Sequence, residues 1–262
     1  MNELQAFLLG LVQGLTEFLP VSSSGHLVMA AELLGAAGEG ILFEVAVHVA
    51  TLVAILIFYR QRVGALAIGA LRGKAAAWRY IAKLALGTLP VVALVLVAGD
   101  LLESLFDAPA VAGVGLLFTG GFLLTTRATL PRAHGEEPSF AAAFWIGCAQ
   151  ALAIVPGISR SGTTVAAALA LGVAPLAAAE FSFLLGVVAI AGAAVRMLPE
   201  MASVPAEAWG PIGVASLAAL VSGLLALWFF VRLLRNQAFH RFAYYVWPAG
   251  LAFLAWLALR AA

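Results

Sequence analysis

The sequence predicts an all-α, polytopic membrane protein that is built as an inverted-topology repeat. Three observations predict it: a very apolar composition, apolar runs of membrane-spanning length, and a motif that occurs twice, half a chain apart. Hydrophobic residues make up 64% of the 262 residues and charged residues only 10%, whereas an ordinary soluble domain has about 25% charged residues. We expect a single membrane domain over residues 1–262, with repeat halves of approximately 1–126 and 139–262.

Apolar runs of about twenty residues, the length that crosses a hydrocarbon core of ~30 Å, predict about six full transmembrane helices. They lie at 41–59, 80–98, 109–126, 174–197, 211–231 and 242–259. Two further runs, 1–19 and 139–156, lead directly into the two copies of the motif. The first of these has neither a basic start nor a small-residue cleavage site, so we expect mature protein rather than a signal peptide.

The motif runs from Gln13 to Gly25 and again from Gln150 to Gly162. In both copies a Leu and a Pro follow the Gln, and Ser-x-Ser-Gly ends twelve residues after it. The copies lie 137 residues apart, which indicates a duplicated unit of half the chain. Because an apolar segment too short to span follows each copy, we expect two re-entrant helix pairs that enter from opposite faces and meet near the bilayer midplane.

Basic residues indicate how the chain is oriented in the membrane. They concentrate in two connections between predicted spans, namely Arg60, Arg62, Arg72, Lys74, Arg79 and Lys83 in one, and Arg232, Arg235 and Arg241 in the other. Lys and Arg are enriched on the cytoplasmic side, so we place these connections there and the acidic connections at 99–108 and 199–210 outside. The spans 41–59 and 174–197 then run in opposite directions, and the two halves are inverted.

Four ionisable residues lie at membrane depth: Glu17, Glu44, Arg160 and Glu180. Each would cost ~2.5 to 3.5 kcal/mol at the centre of a membrane helix, so we expect them to face one another or a wet cavity. For Glu44 and Glu180, a supporting place at a functional site and a structural ion-pair network that holds the halves together both remain open. His48 follows Glu44 by one helical turn and is a candidate supporting residue, although a hydrogen bond to the Glu44 carboxylate is the simpler expectation.

Arg160 lies in Ser-Arg-Ser-Gly-Thr-Thr, directly after Pro156 and Gly157 break the preceding helix. A guanidinium beside free backbone N–H groups at a helix N-terminus binds phosphate by geometry and charge. The alternative is an arginine that only neutralises Glu17. Hydroxyl donors that could bind the same ligand, or cap the next helix, are Ser159, Ser161, Thr163 and Thr164.

In the first copy, Ser23 precedes His26 by three residues. A hydroxyl and an imidazole at this spacing can share a proton if the loop turns there, which is the minimum pairing for an activated nucleophile. The alternative for His26 is a packed, hydrogen-bonded side chain. We expect Ser22 and Ser24 to act as helix caps or as donors to a ligand rather than as nucleophiles.

Gln13 and Glu17 are four residues apart and therefore share one helix face. A carboxylate beside a phosphate repels it unless a divalent cation lies between them. We therefore expect Mg²⁺ or Ca²⁺, bound by Glu17 and phosphate oxygens, with Gln13 as a second candidate ligand. Cys148 is the single cysteine, so a disulfide framework and a thiolate metal site are both excluded.

Three stretches of the chain resemble the signature stretches of the bacterial undecaprenyl-diphosphate phosphatase family, the bacitracin-resistance proteins. They run from Gln13 to His26, from Pro156 to Thr164 and from Glu180 to Leu185. The resemblance covers essentially the whole chain. It implies a hydrolase of the bacterial plasma membrane that removes the terminal phosphate of undecaprenyl diphosphate and so recycles the lipid carrier for peptidoglycan synthesis. It also implies an active site that opens to the periplasm and a divalent-cation requirement.

The resemblance also implies roles for particular residues. The family's acidic motif falls on Gln13 and Glu17, its hydroxyl and histidine pair on Ser23 and His26, and its diphosphate-binding arginine on Arg160. Ser159 and Thr164 lie near this arginine, and Ser161, Ser22 and Ser24 complete the candidate diphosphate-binding set. Gln13 stands where many relatives have Glu, which puts more weight on Glu17 as the metal ligand.

A polyprenyl-phosphate flippase or an anion transporter is the alternative function, because inverted repeats with broken helices are typical of transporters. The Ser23 and His26 pairing opposite Arg160 favours the enzyme, since a carrier needs no nucleophile and no base. The expected partners are the polyprenyl diphosphate lipid and the bilayer. A net charge of +1 gives no indication of nucleic-acid binding, and the sequence leaves the oligomeric state open.

Overall fold

The computed structural model describes residues 1–35, 41–106, 108–197 and 206–261. Helices dominate these ranges, and their only β-contact is an isolated bridge between Gly135 and Val173. The eleven α-helices are α1 Glu3–Phe18, α2 Ser23–Leu34, α3 Ile41–Phe58, α4 Arg60–Leu71, α5 Ala75–Ser104, α6 Pro109–Thr129, α7 Phe140–Leu152, α8 Arg160–Ala170, α9 Pro175–Met197, α10 Trp209–Arg235 and α11 Ala243–Ala261. The predicted all-α class is confirmed.

Five helices of the described part are long and apolar enough to cross a membrane: α5, α6, α9, α10 and α11. Helices α3 and α4 pass the same test together, but they are bent by 78° between them. The chain is therefore a multi-pass membrane protein with five or six spans, in agreement with the predicted number.

The predicted spans match the helices closely, apart from two differences within the first basic connection. The structure adds helix α4 there, which the sequence analysis did not predict because its three polar residues at 60–62 interrupt the apolar pattern. Helix α5 begins at Ala75 rather than near 80, since a run of alanines with high helix propensity precedes Trp78.

Both copies of the motif break a helix and then start another one. Helix α1 ends where Leu19 adopts an extended conformation before Pro20, and α7 ends at Leu152, four residues before the end of the predicted run. Ser22 and Ser159 then cap α2 and α8 by accepting a hydrogen bond from the backbone N–H of the Gly three residues later. The shared Ser-x-x-Gly spacing is thus the same helix cap in both copies.

Glycines let the two motif-bearing helices dock on long helices from the other half of the chain. Helix α1 packs along α10 and α7 packs along α5. A Cβ at Gly14 would overlap Ser222 of α10, and one at Gly147 would overlap the backbone of Gly87 in α5. Because small residues allow such close approach between membrane helices, these contacts fix where each motif copy begins.

Candidate active site

The two motif copies are in direct contact. A Cβ added to Gly25 would lie 3.1 Å from the Cα of Gly157, so the two backbones touch. The N–H of Gly157 donates to Oγ of Ser24 at 3.4 Å, and Oγ of Ser161 donates to the backbone oxygen of Leu19 at 3.3 Å. Residues from the two halves of the sequence therefore form one site.

The carboxylate of Glu17 is the centre of this site. It is only 7% exposed. Its Oε1 accepts a hydrogen bond from Nη2 of Arg160 at 2.5 Å. Its Oε2 accepts from Oγ of Ser23 at 2.6 Å and from Nε2 of Gln13 at 3.0 Å. Four residues that the sequence singled out thus share one hydrogen-bond network, and the ion pair between Arg160 and Glu17 is present.

Helix α9 holds the guanidinium of Arg160 from its other side. Nη1 of Arg160 donates to the backbone oxygen of Ser182 at 3.4 Å. The guanidinium lies over Gly186, where a Cβ would overlap it. Sequence analysis missed Gly186, because nothing in the local pattern distinguishes it from the other glycines of the apolar helices. The Arg160 side chain remains 16% exposed, so a ligand can reach it.

His48 faces the same carboxylate. Its Nε2 lies 3.7 Å from Oε2 of Glu17. Its Nδ1 lies 2.7 Å from the backbone oxygen of Glu44, and since a carbonyl oxygen only accepts, Nδ1 carries the hydrogen. The expected hydrogen bond to the Glu44 carboxylate is therefore wrong, and the structure places His48 beside the carboxylate of Glu17 instead. The Glu44 side chain makes no hydrogen bond or ion pair with any residue that the structure describes.

Glu180 does not join this network. Its Oε1 accepts from Nε of Arg62 at 2.8 Å and from the Tyr80 hydroxyl at 3.2 Å. Arg62 also contacts Glu137, which pairs with Lys83. Of the two alternatives left open for Glu180, the structure contains the ion-pair network, because Arg62 of the unpredicted helix α4 pairs with this carboxylate away from Glu17.

The expected pairing of Ser23 with His26 is also wrong. Ser23 donates to Glu17, as described above. Nδ1 of His26 lies 2.9 Å from the backbone oxygen of Ser22 and therefore donates to it, and Nε2 lies 2.8 Å from the hydroxyl of Tyr245. The physical reason is that α2 already begins at Ser23, so the imidazole of His26 folds back onto the carbonyl of the helix cap.

Tyr245 is a site residue that sequence analysis missed. It lies on α11, and its ring stacks on that of His26 with centroids 5.7 Å apart and planes 19° apart. Aromatic residues near the ends of spans are typical of membrane interfaces, so its position in the sequence gave no reason to connect it with His26.

Two helix N-termini point into the site. The backbone N–H groups of Ser23, Ser24, Arg160 and Ser161 donate no hydrogen bond to the residues that the structure describes. A helix N-terminus carries a partial positive charge and binds anions. Two such N-termini beside a guanidinium make this a site for an anion with several oxygens.

Most of the hydroxyls near Arg160 form hydrogen bonds within the protein and do not face the site. Ser22 and Ser159 cap helices, and Ser22 does so with a positive φ of 70°. Thr164 donates to the backbone oxygen of Arg160 at 2.6 Å, and Ser161 bonds to Leu19. All four are buried. The structure therefore brings these predicted residues to the site, but with their hydroxyls in internal hydrogen bonds. Ser23 and Ser24 are less buried than these four.

The ligands for a divalent cation fit only in part. Oε1 of Gln13 is a buried oxygen without a hydrogen-bond partner among the described residues, and it lies on the same side chain that contacts Glu17. No group of three His, Cys, Asp or Glu side chains in the described part could hold a metal. Mg²⁺ commonly takes one or two protein oxygens and completes its shell with substrate phosphates and water, and this donor set suits that mode.

Comparison with known proteins identifies the family. The profile of the family described as "Bacitracin resistance protein BacA" matches residues 6–252. The chain is 40% identical over 259 residues to an "Undecaprenyl-diphosphatase" of Carboxydothermus hydrogenoformans, covering 97% of both chains. It is 37% identical to the protein of the same name from Alcanivorax borkumensis, covering 98% of this chain and 100% of the other. A third, from Desulfosudis oleivorans, is 40% identical, covering 99% and 100%. The chain therefore belongs to the BacA family of bacitracin-resistance proteins.

Proposed function

We propose that this chain hydrolyses undecaprenyl diphosphate to undecaprenyl phosphate and inorganic phosphate, and so recycles the lipid carrier of cell-wall synthesis. The observation that carries the proposal is the network in which Arg160 and Ser23 share the Glu17 carboxylate between two helix N-termini. The relatives of nearly full length bear the name of this activity, which favours hydrolysis over the alternative of a flippase or an anion transporter.

The enzyme lies in the bacterial inner membrane, with the site facing the periplasm and the two basic connections in the cytoplasm. The excess of Lys and Arg in these connections supports this orientation.

The halves at approximately 1–126 and 139–262 form an inverted repeat, in which α1–α2 and α7–α8 are re-entrant pairs. Two facts support this architecture. These four helices have at most 16 residues, fewer than the ~20 that a span needs, and α1 and α7 each pack on a long helix from the other half of the chain.

Substrate binding begins with an exchange of partners at Arg160. The diphosphate enters with its lipid tail between apolar helices, and its oxygens replace Glu17 as the partner of the guanidinium. The free N–H groups at the starts of α2 and α8 donate to the same oxygens. Phosphoryl transfer depends mainly on positioning and on neutralising charge, and this set of donors does both.

Ser23 is the nucleophile that the geometry favours, and Glu17 is its proton acceptor, because the Ser23 hydroxyl already donates to Oε2. Once Arg160 turns to the phosphate, Ser23 Oγ bonds to the terminal phosphorus, its proton passes to Oε2 of Glu17, and the bond from that phosphorus to the bridging oxygen breaks. Undecaprenyl phosphate leaves. Water then bonds to the phosphorus of the phosphoserine and its proton passes to Nε2 of His26, while the bond to Ser23 Oγ breaks and Glu17 returns its proton to that oxygen. Inorganic phosphate leaves, and His26 releases its proton to solvent. The alternatives are that His26 activates water directly or attacks the phosphorus itself.

Glu17 and Oε1 of Gln13 would hold the expected divalent cation, Mg²⁺ or Ca²⁺, together with phosphate oxygens. When bound there, the cation offsets the negative charge of the diphosphate. This proposal is supported by the unpartnered oxygen of Gln13.

The decisive experiment measures phosphate release from undecaprenyl diphosphate by the purified protein in detergent, with and without a chelator. We expect release by the wild type, loss on chelation, and a fall of about a hundredfold or more in Ser23→Ala. Mass spectrometry of the quenched reaction should find the phosphoryl group on Ser23. Ser104→Ala is the matched control, because the only hydrogen bond of the Ser104 side chain to a described residue goes to the backbone oxygen of Leu101 in its own helix.

Two outcomes contradict the proposal at different levels. Full activity of Ser23→Ala eliminates the serine route and leaves the routes through His26. Release that is unchanged in both Arg160→Ala and His26→Ala defeats the enzymatic interpretation of the site.

A further inference from the structure

Both ring nitrogens of His26 are engaged, and a residue from the far end of the chain engages one of them. Nδ1 donates to the backbone oxygen of Ser22, so in the neutral ring the only lone pair belongs to Nε2. That nitrogen lies 2.8 Å from the Tyr245 hydroxyl, which therefore donates to it. A proton that His26 accepts must arrive at this nitrogen, and the Tyr245 hydroxyl must then turn from donor to acceptor of the hydrogen bond.

The tyrosine ring restrains the same imidazole by stacking. The two ring centroids are 5.7 Å apart and the planes are nearly parallel, at 19°. With the Ser22 contact alone, the imidazole could still turn about the axis through that hydrogen bond. Stacking and the hydroxyl together fix the plane of the ring and the direction of its lone pair. A preset direction of this kind is what a proton acceptor needs, because misplacement by about 1 Å can cost a hundredfold in rate.

The position of Tyr245 is itself fixed by packing. Two residues further along α11, Nε1 of Trp247 donates to the backbone oxygen of Leu117 in α6 at 2.9 Å. Gly120 provides the room for this indole, since a Cβ there would overlap it. This contact holds helix α11 against α6. It therefore fixes the position from which Tyr245 contacts His26 of α2. Tyr245 is 50% exposed, so its hydroxyl lies at the open side of the site.

We propose that Tyr245 is a positioning residue for His26: it fixes the plane of the imidazole and the direction of Nε2, while the Ser22 carbonyl sets the Nδ1–H tautomer. The proposal rests on the function proposed above and deepens it. Tyr245 needs no contact with the diphosphate in this role. Its effect should therefore appear in the turnover rate and in the state of the imidazole rather than in substrate binding.

The test compares Tyr245→Phe with Tyr244→Phe in the purified, full-length protein. Tyr244 is the adjacent residue, is similarly exposed at 57%, and has no hydrogen bond to any residue in the described ranges. Tyr245→Phe keeps the stacked ring and removes only the hydroxyl. We expect kcat for phosphate release from undecaprenyl diphosphate to fall about tenfold, the worth of one hydrogen bond, while KM stays within about twofold. Tyr244→Phe should match the wild type in both.

A second measurement does not depend on activity. Nitrogen NMR of protein labelled at histidine reports which ring nitrogen carries the hydrogen, and His26→Gln identifies the signal of His26. In the wild type we expect the Nδ1–H form of His26 with a hydrogen bond at Nε2, and in Tyr245→Phe the same tautomer with a shifted Nε2 resonance, because that nitrogen has lost its donor.

Each outcome decides the question. A kcat equal to that of Tyr244→Phe, an unchanged Nε2 resonance of His26, or a raised KM at constant kcat would overturn the positioning role. If the wild type itself releases no phosphate, the proposed function fails, and the NMR comparison still decides whether Tyr245 donates to Nε2 of His26.

Discussion

The two copies of the motif share their architecture and differ in their chemistry. In both, a helix breaks, a serine caps the next helix, and that helix points its N-terminus into the same site. The position after the capping serine holds Ser23 in the first copy and Arg160 in the second. Glu17 of the first copy corresponds to Ile154 of the second. The first copy therefore supplies a carboxylate and a hydroxyl, and the second supplies a cation.

The glutamines show the same divergence. Gln13 donates to Glu17, whereas both amide atoms of Gln150 are buried without a hydrogen-bond partner in the described part of the chain. Duplication explains why the two copies have the same backbone design, and divergence explains why only their combination makes a site. Neither copy alone has both an anion-binding cation and a nucleophile.

Removal of the cation should have the largest effect. Arg160→Ala deletes the guanidinium from the anion site, so we expect phosphate release to fall about a thousandfold. It also leaves Glu17 buried and unpaired, which should lower the free energy of unfolding by about 3–5 kcal/mol. Adding Glu17→Gln to the same variant should restore much of the melting temperature without restoring activity.

Arg62→Ala is the matched control for this change, because Arg62 also pairs with a partly buried glutamate but at Glu180, outside the site. We expect it to retain wild-type activity. A similar loss of activity in Arg62→Ala and Arg160→Ala would indicate a general effect of broken ion pairs and would contradict the assignment of Arg160 to the anion site.

A smaller effect should follow from filling the space under the guanidinium. Gly186→Ala places a methyl group where Arg160 lies, so the guanidinium must shift and we expect a loss of roughly tenfold to a hundredfold in phosphate release. Gly192→Ala is on the same helix, and a Cβ there meets nothing within 4 Å. Equal activities of the two alanine variants would show that the position of the guanidinium is not constrained by Gly186.

The smallest effects are expected for the two glutamines, whose replacement should change the free energy of unfolding in opposite directions. Gln13→Leu removes a donor to a buried carboxylate and should lower the free energy of unfolding by about 1.5–3 kcal/mol, with a loss of activity. Gln150→Leu removes a buried amide without partners and should be neutral or stabilising by about 1 kcal/mol. Melting temperatures of both variants test this prediction. A Gln150→Leu variant that melts well below the wild type would contradict it and would show that the Gln150 amide has a hydrogen-bond partner.

Much of this outcome was predictable from the sequence. Apolar runs of the right length placed five spanning helices and α3, and the repeated Ser-x-Ser-Gly motif placed the helix breaks. The pairing of Glu17 with Arg160 followed from charge alone, since ionisable residues in an apolar environment must find each other, and the spacing of four placed Gln13 on the helix face of Glu17. The sequence left two places open for Glu180 and paired Ser23 with His26 instead of Glu17, because several partners were available and only packing chose among them.

The sequence by itself determined the class of the protein, because hydropathy, helix breaks and serine caps act over a few neighbouring residues. Only the tertiary structure decided which side chains meet. The bond from Arg160 to Glu17 joins residues 143 apart in sequence, and that from Tyr245 to His26 joins residues 219 apart. Such contacts depend on how closely the helices approach one another, which is set by the glycines that allow α1, α7, α9 and α11 to pack. No local pattern in the sequence predicts which of these contacts form.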